Sequence, residues 1–134
     1  MARVIKFDDI GKYAEEQFEK LLRVAVLKTD SQLKKESPVK TGRFRASWAI
    51  GQNSAPFPGQ PEGDYKQKPP PLAVNYQLGN EKPGNVYSIH NNLPYAEPLA
   101  AGWSKQAPGP WVDNIAKNIQ TWVVAQADRI GRES

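Results

Sequence analysis

Apolar residues return every three or four positions along two stretches of the chain. Ala14, Phe18, Leu21, Leu22, Ala25, Val26 and Leu33 form the first stripe. Trp111, Val112, Ile115, Ile119, Trp122, Val123, Ala127 and Ile130 form the second. At 3.6 residues per turn each set lies on one side of an α-helix. The first helix is predicted to open at Asp8 and Asp9, whose carboxylates suit the unpaired amides and the positive end of a helix start. It ends at Ser37-Pro38, because proline disfavours helical geometry in the residue before it. Glu16–Lys20 and Glu19–Arg23 are predicted to pair on its wet side. Pro110 fits the first turn of the second helix.

Between the helices the period changes to two. Phe44, Ala46, Trp48 and Ile50 alternate with Arg43, Arg45, Ser47 and Ala49, which predicts a strand with one buried face after a turn at Val39–Gly42. Leu72, Val74, Tyr76 and Leu78 alternate again, and Val86–His90 follows Gly79–Asn85. Together these predict a hairpin with a long turn. Leu93-Pro94 opens a short helix through Leu99, with Gly102 in the terminating position. Residues 51–71 hold six of the 12 prolines together with Gly51, Gly59 and Gly63, so neither a helix nor a central strand fits there. The expected architecture is a single α+β domain over residues 1–134. Two long helices pack on one face of a small antiparallel sheet, and residues 51–71 form an extended loop.

Composition narrows the chemistry. At 134 residues the chain suits one domain. It has no cysteine, which removes disulfides, thiolate metal sites and cysteine nucleophiles. No apolar run reaches the ~20 residues of a membrane span, and Met1–Asp9 lacks the apolar stretch of a secretory signal. The expected setting is the cytoplasm, without export. The net charge of +4 permits nucleic-acid contact without demanding it. His90 is the only histidine, so a zinc site of the usual ligands cannot be assembled. No nucleophile elbow, phosphate loop or dinucleotide fingerprint occurs. No catalytic residue, metal or cofactor is expected. An enzyme would have to converge His90, Glu97 and Asp113.

Two groups of residues stand out as contact candidates. Lys34, Lys35, Lys40, Arg43 and Arg45 make a basic cluster. It reads as a solvated helix end complementing the macrodipole, or as a face for phosphates. Trp48, Trp111 and Trp122 lie on predicted apolar faces, where core packing is the default. Trp103 instead lies in an unpatterned loop beside Ser104, Lys105 and Gln106, and Phe57 and Tyr65 are aromatics in the proline-rich loop. Aromatics so placed are candidates for a partner interface or for anchoring their loops.

Two segments carry a family resemblance. They are Ser37-Pro-Val-Lys-Thr-Gly-Arg-Phe-Arg-Ala-Ser-Trp48 and Asn91-Asn-Leu-Pro-Tyr-Ala-Glu-Pro-Leu-Ala-Ala-Gly-Trp-Ser-Lys-Gln-Ala-Pro108. Together, and in this order between two helices, they resemble the neck or tail-component family of long-tailed double-stranded DNA phages, the lambdoid-type head–tail joining proteins. The resemblance spans roughly Asp8 to Ala127. The chain departs from the family pattern at Lys40 and Ala100, where an acid is usual. The resemblance implies a virion structural protein, one copy in a homo-oligomeric ring between the portal or adaptor and the tail. Tail terminator and minor tail component are the alternatives within the family; a nucleic-acid-binding module is the alternative outside it. Within that reading the loop 51–71 is the candidate for reaching an adjacent ring, and the basic cluster is a candidate lining of a DNA channel.

Overall fold

The computed structural model describes residues 4–7 and 15–133. In chain order these form β1 (Val4–Phe7), α1 (Glu15–Glu36), α2 (Arg43–Ala46), β2 (Ala49–Gln52), β3 (Tyr87–His90), α3 (Ala96–Ala100) and α4 (Trp111–Glu133). The class is α+β. The Asp8–Asp9 start predicted for the first helix lies outside the described residues.

The three strands form one antiparallel sheet in the order β1-β3-β2, so β3 is central. Ile5 and Ile50 both stand opposite Ile89. Alternation along β2 and β3 divides the sheet into two faces. Ile50, Tyr87 and Ile89 enter the apolar core with Leu22, Ala25, Val26 and Leu33 of α1. Ala49, Gly51, Ser88 and His90 take the opposite face. The long helices do not share the sheet equally. α1 packs on β2 and β3, while α4 packs chiefly on α1.

Three expectations need correction. Residues 43–50 are not one strand. Gly42, at φ 85°, turns the chain into a single helical turn in which the Ala46 amide donates to the Gly42 carbonyl at 2.8 Å. Only then does β2 begin. Phe44 and Trp48 are four apart, a spacing that keeps two residues on one side of a strand and of a helix alike, so alternation could not separate them. The predicted hairpin partner of β3 is also absent. Residues 72–78 form no strand; Ala73 makes an isolated parallel bridge to Ile50. Val74 and Leu78 are left partly exposed. The strands that do pair with β3 are β2 and β1, and β1 was not anticipated. On α1, finally, Glu19 and Arg23 turn to other partners, Lys82 at 2.9 Å and Glu81 at 3.5 Å.

Residues 53–86 carry no helix or strand apart from that bridge. Residues 53–71, here the strap, lie back on the domain. The Asn92 amide donates to the carbonyls of Ala55 (2.8 Å) and Phe57 (2.9 Å). The Gln60 amide hydrogen is accepted by Ser47 Oγ at 2.9 Å. Lys34 Nζ donates to the Pro70 carbonyl at 2.9 Å. At Gly51, a β-carbon would stand 2.2 Å from the Ser54 carbonyl oxygen and 3.3 Å from the His90 ring. The missing side chain is what lets the strap turn back over the sheet.

Candidate functional site

The two segments quoted above are some fifty residues apart, and the fold brings them to one place. Gln106 clamps the main chain of Val39 from both sides. Its Oε1 accepts the Val39 amide hydrogen at 2.9 Å and its Nε2 donates to the Val39 carbonyl at 3.1 Å. Asn91 Nδ2 donates to the Phe44 carbonyl at 2.8 Å, and the whole bond is buried. Beneath these contacts Phe44, Trp48 and Trp111 meet edge to face, with centroids 5.7–6.5 Å apart. Such pairs add to simple burial. Both indole N–H groups find acceptors: Trp48 donates to Ser37 Oγ at 2.9 Å and Trp111 to the Leu99 carbonyl at 2.8 Å.

Phe44 of this cluster also lines an open groove of about 600 Å³. One wall is the turn from Pro38 to Phe44; Tyr95, Leu99, Ser104 and Gln106 also line it, together with Glu62 and Gly63 of the strap. Gly42 is required in this wall. Besides its positive φ, a β-carbon there would overlap the Tyr65 carbonyl oxygen at 1.9 Å. The strap therefore packs directly on the turn, and the Tyr65 amide donates to the Thr41 carbonyl at 2.6 Å.

The basic cluster does not survive as a unit. Lys34 is buried, 2 % exposed, and pairs with Asp30 at 2.8 Å. Burial pushes the Asp30 carboxyl pKa up in spite of that neighbour. Lys34 therefore cannot meet a phosphate, since a buried ammonium persists only where it is paired. Arg45 donates through one terminal nitrogen to the carbonyls of Tyr65 (3.3 Å) and Lys66 (3.0 Å). Arg43 donates Nε–H to the Gln60 carbonyl at 2.8 Å and lies 5.8 Å from the centre of the Tyr95 ring. Lys35 and Lys40 are exposed.

The interface candidates divide in the same way. Phe57 and Tyr65 are half-buried. The Tyr65 hydroxyl donates to the Pro61 carbonyl at 2.7 Å, and the Phe57 amide donates to His90 Nε2 at 3.1 Å. Ser104 Oγ accepts the Gln106 amide hydrogen at 3.2 Å, Lys105 is exposed, and Trp103 is 78 % exposed. Trp122, expected in the core, is half-buried with Lys28 Nζ 4.9 Å from its ring centre.

His90 is fully buried beneath the strap. Because Nε2 accepts a hydrogen, Nδ1 carries the proton and points it at the Ser88 carbonyl, 3.4 Å away. Burial lowers its pKa, so the ring is neutral. Glu97 stands exposed on α3. Among the described residues no group of three or more histidine or acidic side chains gathers into a metal site. None of the described helices is long and apolar enough to cross a membrane.

Within the two quoted segments, sequence reasoning assigns no individual role to Asn91, Asn92, Val39 or Tyr95. Asn91 and Asn92 were within its grasp, since consecutive amides beside a strand end are suited to capturing loop carbonyls. No family model, curated protein or solved structure matches the chain.

Proposed function

We propose that the chain is a virion structural subunit of a long-tailed phage, assembled in the host cytoplasm as one copy of a ring that joins the DNA-filled head to the tail. One observation carries the reading. The two segments that resemble the neck family are remote in sequence and build a single surface, tied by the Gln106–Val39 clamp and the Asn91–Phe44 bond. That surface ends in Trp103, a large apolar side chain left in solvent. Exposed tryptophan beside a groove is the composition of an interface anchor. In a ring the contact between copies is heterologous and closes by rotation. Lys34 and Arg45 are engaged within the chain and take no part in any contact with duplex DNA in this reading.

Electron micrographs of particles made without the protein test the proposal. Full heads separated from finished tails are expected. Tails of irregular length would move the chain to tail termination, and normal infectious particles would remove the virion role altogether.

A further inference from the structure

Of the cations at the groove, Arg43 is held in place without being fully used. Its Nε–H is fixed by the Gln60 carbonyl and its guanidinium lies by the Tyr95 ring. Its terminal amino groups meet no acceptor among the described residues. Arg45, two residues on, has a terminal nitrogen committed to two strap carbonyls. A guanidinium fixed through Nε keeps the fork that binds a carboxylate through two parallel hydrogen bonds, and little side-chain freedom is lost on binding. Lys40 stands on the same wall, exposed and without an ion pair among the described residues. Val39, Leu99 and Tyr95 add apolar surface to the same lining.

We propose that this groove binds an extended acidic segment of a partner protein: one carboxylate on the Arg43 fork, another beside Lys40, and an apolar side chain on Val39 and Leu99. A peptide fits better than a nucleic acid for two reasons. Among the described residues only two free cations, Lys40 and Arg43, line the groove, too few for the multiple phosphate contacts of a duplex. Glu62 in the lining repels a uniformly anionic backbone, while a peptide can place a neutral residue there. The inference rests on the interface reading for the partner's being a virion protein, but the groove chemistry is tested without any particle.

The probe is a dye-labelled extended peptide with two aspartates flanking a leucine, and the control is the same peptide with asparagines. Fluorescence anisotropy gives affinity, and amide chemical shifts of the full chain give location. The aspartate peptide is expected to bind at least about ten-fold more tightly than the control, as charge-assisted hydrogen bonds are stronger than neutral ones. Binding should weaken with salt and move the amides of residues 38–44, 95–99 and 104–106. Lys40→Glu should lower affinity about ten-fold without altering the fold, as Lys40 is exposed on a turn. Arg43→Lys keeps the charge and loses the fork, and should also bind more weakly. Equal binding of both peptides, shifts confined to other surfaces, or tighter retention of a short DNA duplex than of the aspartate peptide would each overturn the inference. Loss of head–tail joining in particles without the protein, together with no preference for the aspartate peptide, would leave the virion reading standing and remove this one. Peptide binding with normal particles would do the reverse.

Discussion

The two faces of the sheet are covered by different physics. On one, α1 buries Leu22, Val26 and Leu33 against Ile50, Tyr87 and Ile89, all nearly without solvent contact. On the other, the strap contributes exposed or half-buried prolines, glycines and polar residues, and is held mainly by side chains that capture its main chain: Asn92, Ser47, Arg43, Arg45, Lys34 and His90. Burial of a large apolar side chain stabilises by roughly 1.5–3 kcal/mol. A hydrogen bond contributes a net of about 0.5–1.5 kcal/mol, and far more is lost when a buried partner is left unpaired. The helical face is therefore robust to small changes. The strap depends on each polar contact being complete, and it can open locally while the rest stays folded.

The largest effect is expected where the two regimes meet. Lys34 belongs to α1, is paired with Asp30, and reaches the strap at Pro70. Asp30→Ala leaves a buried ammonium with one carbonyl for a partner and should cost about 3–5 kcal/mol in denaturant unfolding. Replacing both residues, as Asp30→Leu with Lys34→Met, should recover most of that loss. If Asp30→Ala is silent, the two faces are not coupled through this pair. Next comes Gly51→Ala, where the new methyl meets the Ser54 carbonyl. Overpacking of this kind typically costs ~1–3 kcal/mol. Faster hydrogen exchange should be confined to strap amides such as Phe57; equal loss of protection in α1 would contradict the independence of the strap.

What could be read from the sequence follows the same division. Both long helices were legible because apolar periodicity over twenty residues has no other solution. The strap's lack of regular structure was legible from its prolines, but its course was not. Nothing in the composition of residues 53–71 states that Asn92 or His90 will hold them, because captured main-chain atoms leave no pattern in the captured segment. The basic cluster failed for a related reason. Lys34 and Lys35 are adjacent and chemically alike, and only the helical phase places Lys34 inward with Asp30 one turn before it. That phase is readable in the sequence: Asp30 and Lys34 are four residues apart, and Leu33 next to Lys34 lies on the apolar stripe. At the groove, Trp103 and Gln106 stand out as loop residues beyond any period, while Tyr95 and Val39 carry no individual signal.

A pH series sharpens the comparison from the side of the strap. His90 is neutral in the fold with its pKa below 6.5, so the unfolded chain takes up this proton first as pH falls. Its stabilising contribution is complete above about pH 6.5, declines as pH falls from there to the lower folded value, and then levels off. Protonation would also place a hydrogen on Nε2 facing the Phe57 N–H, so the strap should lose protection before the helices do. Asp30, whose carboxyl pKa is raised by burial, has the opposite sign and is present in both chains being compared. The histidine arm is therefore isolated by comparison with His90→Gln, which should flatten the slope between about pH 7 and 5. An unchanged slope in that variant would assign the pH dependence elsewhere.

The smallest effect on stability is expected at Trp103, and it bears most directly on function. The side chain is 78 % exposed, so Trp103→Ala removes little buried surface and should change unfolding free energy by less than about 0.5 kcal/mol. If the ring served to pin its own loop, truncation would free Gln106 from Val39, and the amide of Val39 would lose protection. If it serves a partner, the Val39 amide stays protected and particle assembly fails. The predicted result is the second: an unfolding curve superimposable on that of the natural chain, an intact Gln106–Val39 clamp, and full heads without tails when the variant is the only copy supplied. Trp103→Phe, which keeps an apolar anchor at the same place, should restore joining in part. Joining by Trp103→Ala at the normal level would break the link between this exposed side chain and assembly.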